Sequence, residues 1–290
     1  MKGIVVMTDS NSGIAPDEAR ALGVTVIPMP FVIDGETYLE GQTLSAERFY
    51  QLLEEGKSVQ TSQPSPGELM AAWQEFTGAD MDVVHIPMSS ALSSSCMTAR
   101  TLAEEFGGRV QVVDNRRIAV SQRQAVLDAL ALIRRGKSAR EIRDILEAES
   151  DEASIYIAVD TLVYLKRGGR ITPAAAAVGS ILGIKPVLQI QGDKLDAFAK
   201  VRGRVQAKRV LLQALQRDIE ERFAAQMAAG TLAIQTAYTG SAQMSDELHE
   251  ALSELYPGVE IYSTALPLSI ACHTGPGAFG VGCTKRLDVP

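Results

Sequence analysis

Five serines crowd one short stretch, Ser89-Ser90-Ala91-Leu92-Ser93-Ser94-Ser95-Cys96. It lies between an apolar run, Met81 to Met88, and a segment of helical spacing, Met97 to Phe106, that ends at Gly107-Gly108. A strand-to-helix junction of this kind offers hydroxyls and free backbone N–H groups where the helix dipole points outward. Such a place suits an anion, a carboxylate or a phosphate. One serine would be enough to cap the helix, so five exceed the structural need. A second hydroxyl-rich stretch, Thr61-Ser62-Gln63-Pro64-Ser65-Pro66, also reads as a loop before a helix, here Gly67 to Phe76. In a parallel sheet such loops gather at the carboxyl edge, where ligands bind. The plain alternative for Thr61 is that it only caps its helix.

Among the three histidines, His85 sits in an apolar strand and reads as a satisfied core residue. His249 lies on a helix between Glu247 and Glu250 and reads as solvated. His273 stands in what reads as a loop before Gly275-Pro276-Gly277, where backbone approaches a ligand closely, and it is the candidate functional imidazole. Arg170 follows Gly168-Gly169 and precedes a helix start at Thr172-Pro173, a position that suits forked binding of an anion. Lys200, Arg202 and Arg204 alternate along a strand end and so share one face, either a basic patch for a partner or a solvated edge.

Sharper catalytic signals fail. Gly136-Lys137-Ser138 has the end of a P-loop without its leading glycine or a preceding strand. Around Ser93, Ala91 and Ser95 stand where a nucleophile elbow needs glycine. No Gly-x-Gly-x-x-Gly follows the first strand, and no His/Cys spacing fits a metal; neighbouring Cys272 and His273 do not make a site. These absences weigh against a self-sufficient enzyme and imply no cofactor and no metal.

The elements that must position these residues read as α/β. The 290 residues have room for two domains, and the 46% hydrophobic content supports a sizeable core. With aromatics at 5%, Ala, Val, Leu and Ile must fill it. Strand, polar loop and helix over Gly3 to Pro16 open a doubly wound sheet, and β/α alternation continues to about residue 150. Phe31 to Tyr38 reads as a hairpin turning at Asp34-Gly35, and Ile118 to Arg134 as a long amphipathic helix. Beyond residue 150 come a strand at 154–159, an Ala-rich helix from Pro173 to near Gly183, and a hairpin about Gly192-Asp193. A helix at 205–225, a strand at 232–238, a helix at 244–255 and a strand at 259–263 follow. The division is placed at 1–150 and 151–290, two α/β lobes joined by the helices near 118–150. A net charge of −7 argues against nucleic acid as a partner. No apolar run has membrane-spanning length, the start has no signal peptide, and three scattered cysteines suit a reducing compartment, so a cytoplasmic location is expected.

Seven segments, in order along the chain, resemble the DegV family, the fatty-acid-binding proteins that serve bacterial fatty acid kinase. They are Thr8-Asp9-Ser10-Asn11-Ser12-Gly13-Ile14, Thr61 to Glu68, Ser89-Ser90-Ala91-Leu92-Ser93, Val113-Asp114-Asn115, Leu165 to Ile171, Gly183-Ile184-Lys185-Pro186, and His273-Thr274-Gly275-Pro276-Gly277. The chain departs from the family at Ala91, where many members have Gly, and at Ser94-Ser95-Cys96, where they have Gly-Thr-Tyr. The resemblance implies an N-terminal lobe with a mostly parallel sheet, a C-terminal lobe with a mixed sheet, and one long-chain fatty acid held between them. Thr61 and Ser62, Ser93 and Ser94, and His273 would bind the carboxylate. Arg170 and Arg202 would face a separate ATP-dependent fatty acid kinase subunit. The acyl phosphate would pass toward phospholipid synthesis, with a transient membrane or acyltransferase contact.

Burying a sixteen-carbon chain at ~0.8 kcal/mol per CH₂ offers on the order of 10 kcal/mol before the costs of binding. The tail would then supply most of the affinity and the head-group residues its orientation, with Thr172 to Leu182 as tunnel wall or ordinary core. Two rivals stand beside this reading. One is a serine hydrolase or acyltransferase with Ser93 as nucleophile and His273 as base. The other is a regulator that takes phosphate at the same anion site without lipid.

Overall fold

The computed structural model describes residues 3–176, 184–192 and 194–287. The chain is an α/β protein with one parallel, one mixed and one small antiparallel sheet, in two compact units. One unit runs to Asp151 and also takes in Leu287; the other is Glu152–Arg286.

In the first unit, β1 (Ile4–Asp9) leads to α1 (Pro16–Leu22), which starts on a proline and stops at Gly23. β2 (Thr25–Ile27) follows, then β3 (Pro30–Ile33) and β4 (Glu36–Leu39). The turn between β3 and β4 puts Asp34 and Gly35 at φ 50° and 88°, the paired positive φ of a tight hairpin. Next come α2 (Ala46–Glu54), capped by Ser45, β5 (Val59–Thr61), and α3 (Pro66–Gly78). A reciprocal capping box of Ser65 and Glu68 starts α3. The unit is completed by β6 (Asp82–Ile86), α4 (Ser95–Ala103), β7 (Val110–Val112), α5 (Val120–Arg134) and α6 (Ala139–Ala148).

The order β2-β1-β6-β7 is wholly parallel. Alternation along β1 sends Val5 and Met7 to one face and Val6 to the other. On the first face they meet Leu69 and Trp73 of α3 with Cys96 and Ala99 of α4; on the second, Val6 meets Ala125 and Ala129 of α5 with Ile142 of α6. Both faces are covered, as a parallel sheet requires. β4-β3-β5 is a separate antiparallel sheet.

One sequence expectation is corrected in this unit. α5 is not amphipathic: ten of its fifteen residues are buried, Gln122, Gln124 and Asp128 among them. It and α6 pack on the parallel sheet as core helices of the first unit.

The second unit contains β8 (Ala153–Ala158), α7 (Val163–Gly168), α8 (Pro173–Ala176), β9 (Ile184–Ile190) and β10 (Asp196–Arg202). α9 (Gly203–Glu221), α10 (Ala224–Ala228), β11 (Leu232–Tyr238) and α11 (Gln243–Leu255) follow, then β12 (Ile261–Ala265), α12 (Leu268–Thr274) and β13 (Phe279–Lys285). Its sheet runs β10-β9-β8-β13-β11-β12, antiparallel except for β11 with β12. Leu211 and Leu215 of α9 and Leu248 and Leu252 of α11 close one face over Tyr156, Val187, Ile234 and Val281.

The expected helix over 205–225 is interrupted at Arg222-Phe223, where Phe223 turns into the core with 1% exposure. The end expected for the Ala-rich helix, near Gly183, and Asp193 of the hairpin turn lie outside the described residues. The structure adds α12 and β13, which the sequence pattern does not predict.

Candidate functional site

The serine stretch hangs between β6 and α4, and its root is fixed by a buried carboxylate. Asp9, at the end of β1, accepts the Met88 amide at 2.9 Å, the Asn11 amide and side chain at 3.0 and 2.9 Å, and Gln122 Nε2 at 3.0 Å. Burial holds its pKa above the ordinary carboxylate range, while these donors pull it back. Gln122 also reaches Thr8 Oγ1 and the Ile86 carbonyl, so α5 ties the carboxyl ends of the two central strands together.

Beyond Met88 the loop consumes its own amides. Ser89 N donates to the Arg117 carbonyl (2.9 Å), Ser90 N to Asp114 Oδ1 (3.2 Å) and Ala91 N to Ser89 Oγ (3.2 Å). Leu92 N and Ser93 N both donate to the Ser89 carbonyl at 3.1 Å. The expectation of a row of free N–H groups is therefore corrected: the loop is pre-folded by these bonds, and Ser95 N is taken by Ser93 Oγ at 3.2 Å. That last bond uses an acceptor lone pair of Ser93, whose O–H stays able to donate. The first turn of α4 adds amides that have no intrahelical acceptor. A hydroxyl donor beside helix amides is chemistry for a carboxylate.

Thr61 is not in a loop at the edge of the parallel sheet. It is the last residue of β5, paired with Phe31 in the antiparallel sheet, and Ser65, not Thr61, caps α3. Ser62 is exposed, and its amide donates to the Pro30 carbonyl at 2.9 Å. The link from this stretch to the serine stretch is Gln63, whose Oε1 accepts from Thr98 Oγ1 at 3.2 Å and from exposed Ser94 Oγ at 3.5 Å. Gln63 lies inside a hydroxyl-rich stretch, where nothing local sets its amide apart from any other loop residue. Gln63, His85, Ser95 and Thr98 also line one pocket with Asp9, Ile27, Pro64, Leu69 and Pro87.

His85 is buried on β6, edge-on to Trp73 with ring centroids 5.5 Å apart, and its Nδ1 finds no partner among the described residues. A satisfied core histidine was expected; this one is core but unsatisfied, and burial drives its pKa down to about 3.

In the second unit His273 is the penultimate residue of α12, not a loop residue. Burial first, then the Arg170 charge, lowers its pKa to about 4, so it is a neutral imidazole at pH 7. Arg170 Nη1 folds back onto the Gly168 carbonyl at the end of α7. Lys200 and Arg202 are exposed on the edge strand β10. Arg204 does not continue that strand; it opens α9 and bonds Asp160 Oδ2 at 3.2 Å, while Lys185 holds Oδ1 at 2.8 Å. The three cations therefore do not form one strand face. His249, read as solvated, is half-buried and pairs with Ser263 Oγ at 2.9 Å.

Among the described residues no group of His, Cys, Asp and Glu is arranged to hold a metal, and no helix is long and apolar enough to cross a membrane. Cys96, Cys272 and Cys283 are buried; burial pushes the Cys96 thiol up to about 12 and raises that of Cys283 as well.

An α/β unit built on a wholly parallel four-stranded sheet with a serine-rich turn at its carboxyl edge, followed by an α/β unit on a mixed sheet, defines the class of protein. Residues 3–286 match the DegV family, described as uncharacterised proteins, and the chain belongs to it. A DegV domain-containing protein of Deinococcus radiodurans is 34% identical over 279 residues, 96% of this chain and 97% of its own length. A Thermus thermophilus DegV family structure described as fatty acid binding is 30% identical, with a TM-score of 0.86 over 98% of this chain and 100% of that one. DegV of Bacillus subtilis, described as a fatty acid binding protein, is 29% identical, with a TM-score of 0.83 over 99% and 100%.

Proposed function

We propose that this chain is a non-enzymatic carrier of a long-chain fatty acid. The observation that carries the reading is the likeness to the Thermus protein, whose structure is described as fatty acid binding, over nearly the whole of both chains. The chemistry of the first unit supports it. Ser93 keeps an O–H donor beside the first-turn amides of α4, and Asp9 and Asp114 brace the turn from below.

In this reading Thr61, Ser62, Ser93 and Ser94 receive the carboxylate. His273 offers it a neutral imidazole N–H, and Arg170 and Arg202 meet the partner that uses it. That partner is a separate ATP-dependent kinase, and the acyl phosphate formed goes on to phospholipid synthesis. No catalytic role falls to Ser93: its hydroxyl positions the head group.

The test is mass spectrometry of a solvent extract from purified, unsupplemented protein. A near-stoichiometric long-chain acid is expected, together with no labelling of Ser93 by a fluorophosphonate probe. An empty extract from protein that also refuses added fatty acid overturns the carrier, and a labelled Ser93 moves the case to the acyl hydrolase.

A further inference from the structure

Two neighbouring glycines close α7, and only one of them is needed by the backbone. Gly169 has φ 68° and ends the helix in the left-handed conformation. Gly168 is the last helical residue and is not among the glycines of positive φ, so alanine would fit its backbone and would be the better helix former. Its requirement is steric. A β-carbon on Gly168 would lie 2.9 Å from His273 Cε1 and closer still to Nδ1, so the imidazole lies against the bare α-carbon.

The contact is returned from the other helix. Just past α12, a β-carbon on Gly275 would lie 2.6 Å from Tyr164 Cε2, so a ring of α7 lies against a glycine that follows α12. Each helix thus sends one ring onto a glycine at the other's end. The Gly168 carbonyl is the group that Arg170 Nη1 bonds, which places the guanidinium charge felt by His273 on the same residue.

We infer that Gly168 is a positioning residue for His273: its missing side chain fixes the imidazole against α7, beside Arg170. Alanine at 168 must push the ring outward or part α7 from α12. The ring's functional value rests on the carboxylate-binding reading; its placement does not.

The test is Gly168→Ala, with His273→Ala and the double variant, read in two ways. Imidazole titration by NMR is expected to move His273 in Gly168→Ala from about 4 toward 6.5, by about one unit or more, as the ring gains solvent. Palmitate affinity is expected to fall several-fold in Gly168→Ala and to show no further fall when that change is added to His273→Ala. An unmoved imidazole titration overturns the inference, as does an equal loss of affinity in both backgrounds. If Gly168→Ala does not fold, Tyr164→Leu, which frees Gly275 from the ring, is expected to shift the same His273 titration, and no shift there overturns it. Failure of the wild type to bind palmitate would sink the carrier reading and leave the titration arm standing.

Discussion

Ser93 and His85 show how the same sheet edge treats polar side chains in two ways. Ser93 accepts one hydrogen bond from the Ser95 amide, and its O–H stays able to donate. Ser93→Ala is expected to weaken fatty acid binding by about 1–3 kcal/mol by calorimetry, through loss of a charge-assisted bond; unchanged affinity would place the carboxylate elsewhere. On the proposal that a separate kinase acts on the bound acid, Arg202→Ala, on the exposed edge strand, is expected to leave that affinity intact and to lower that phosphorylation; an equal loss of both would make Arg202 a binding residue. His85 is a liability of burial. Its folded pKa of about 3 lies below the ordinary 6.5, so below pH 6.5 the unfolded chain takes a proton that the folded chain refuses. Stability is therefore lost as pH falls from 6.5 toward 3, by up to about 1.4 kcal/mol per pH unit from this residue. Urea titrations at pH 7 and pH 5 are expected to show a smaller pH loss in His85→Leu than in the wild type. Equal losses would mean that the ring titrates normally.

At the scale of elements, the legible parts were those with local signals. The Asp34-Gly35 turn and the apolar runs of β1 and β6 are encoded within a few residues. The central strand β13 is not. Its Gly280 and Gly282 lower strand propensity, although close strand approach demands them. A β-carbon on Gly280 would lie 2.6 Å from the Tyr156 carbonyl oxygen and on Gly282 3.1 Å from that of Ser154. Since backbone cannot swing aside like a side chain, Gly280→Ala is expected to prise β13 from β8 and to cost more than about 2 kcal/mol in urea unfolding; a cost within about 0.5 kcal/mol would show that the strands separate freely. The same distance in sequence hid α12: its Gly275-Pro276-Gly277 ending marked a loop so strongly that the helix carrying His273 was read as part of it. Thr61 was misplaced for the converse reason. The Thr-Ser-Gln-Pro composition spells a loop, and only the partner strand β3, 30 residues earlier, makes Thr61 the end of β5.

At the scale of the whole molecule, the chain leaves the first unit at Asp151 and returns to it at Leu287, and the return is received by a buried ion pair. Leu287 N donates to Asp128 Oδ1 at 2.7 Å, while Arg117 Nη1 stands 3.7 Å from Asp128 Oδ2 with both side chains at most 2% exposed. Gln124 Nε2 gives the carboxylate a further bond at 2.9 Å, and Arg117 Nη2 reaches the Glu149 carbonyl at 2.9 Å. Arg117 also supplies the carbonyl that holds Ser89 N, so the pair underlies the serine turn as well as the returning strand end. Asp128→Ala leaves a buried guanidinium without its counter-charge and Leu287 without its acceptor, and it is expected to destabilise by about 3–5 kcal/mol in urea unfolding. Replacing both charges, Arg117→Met with Asp128→Leu, removes both buried charges together and is expected to recover a large part of that loss. It should do so even though Asp128's bond to Leu287 and the Arg117 side-chain bond to the Glu149 carbonyl are lost, and the Arg117 backbone carbonyl that holds Ser89 N survives the substitution. A double variant as unstable as Asp128→Ala would locate the cost in the lost Leu287 bond instead of in the stranded charge.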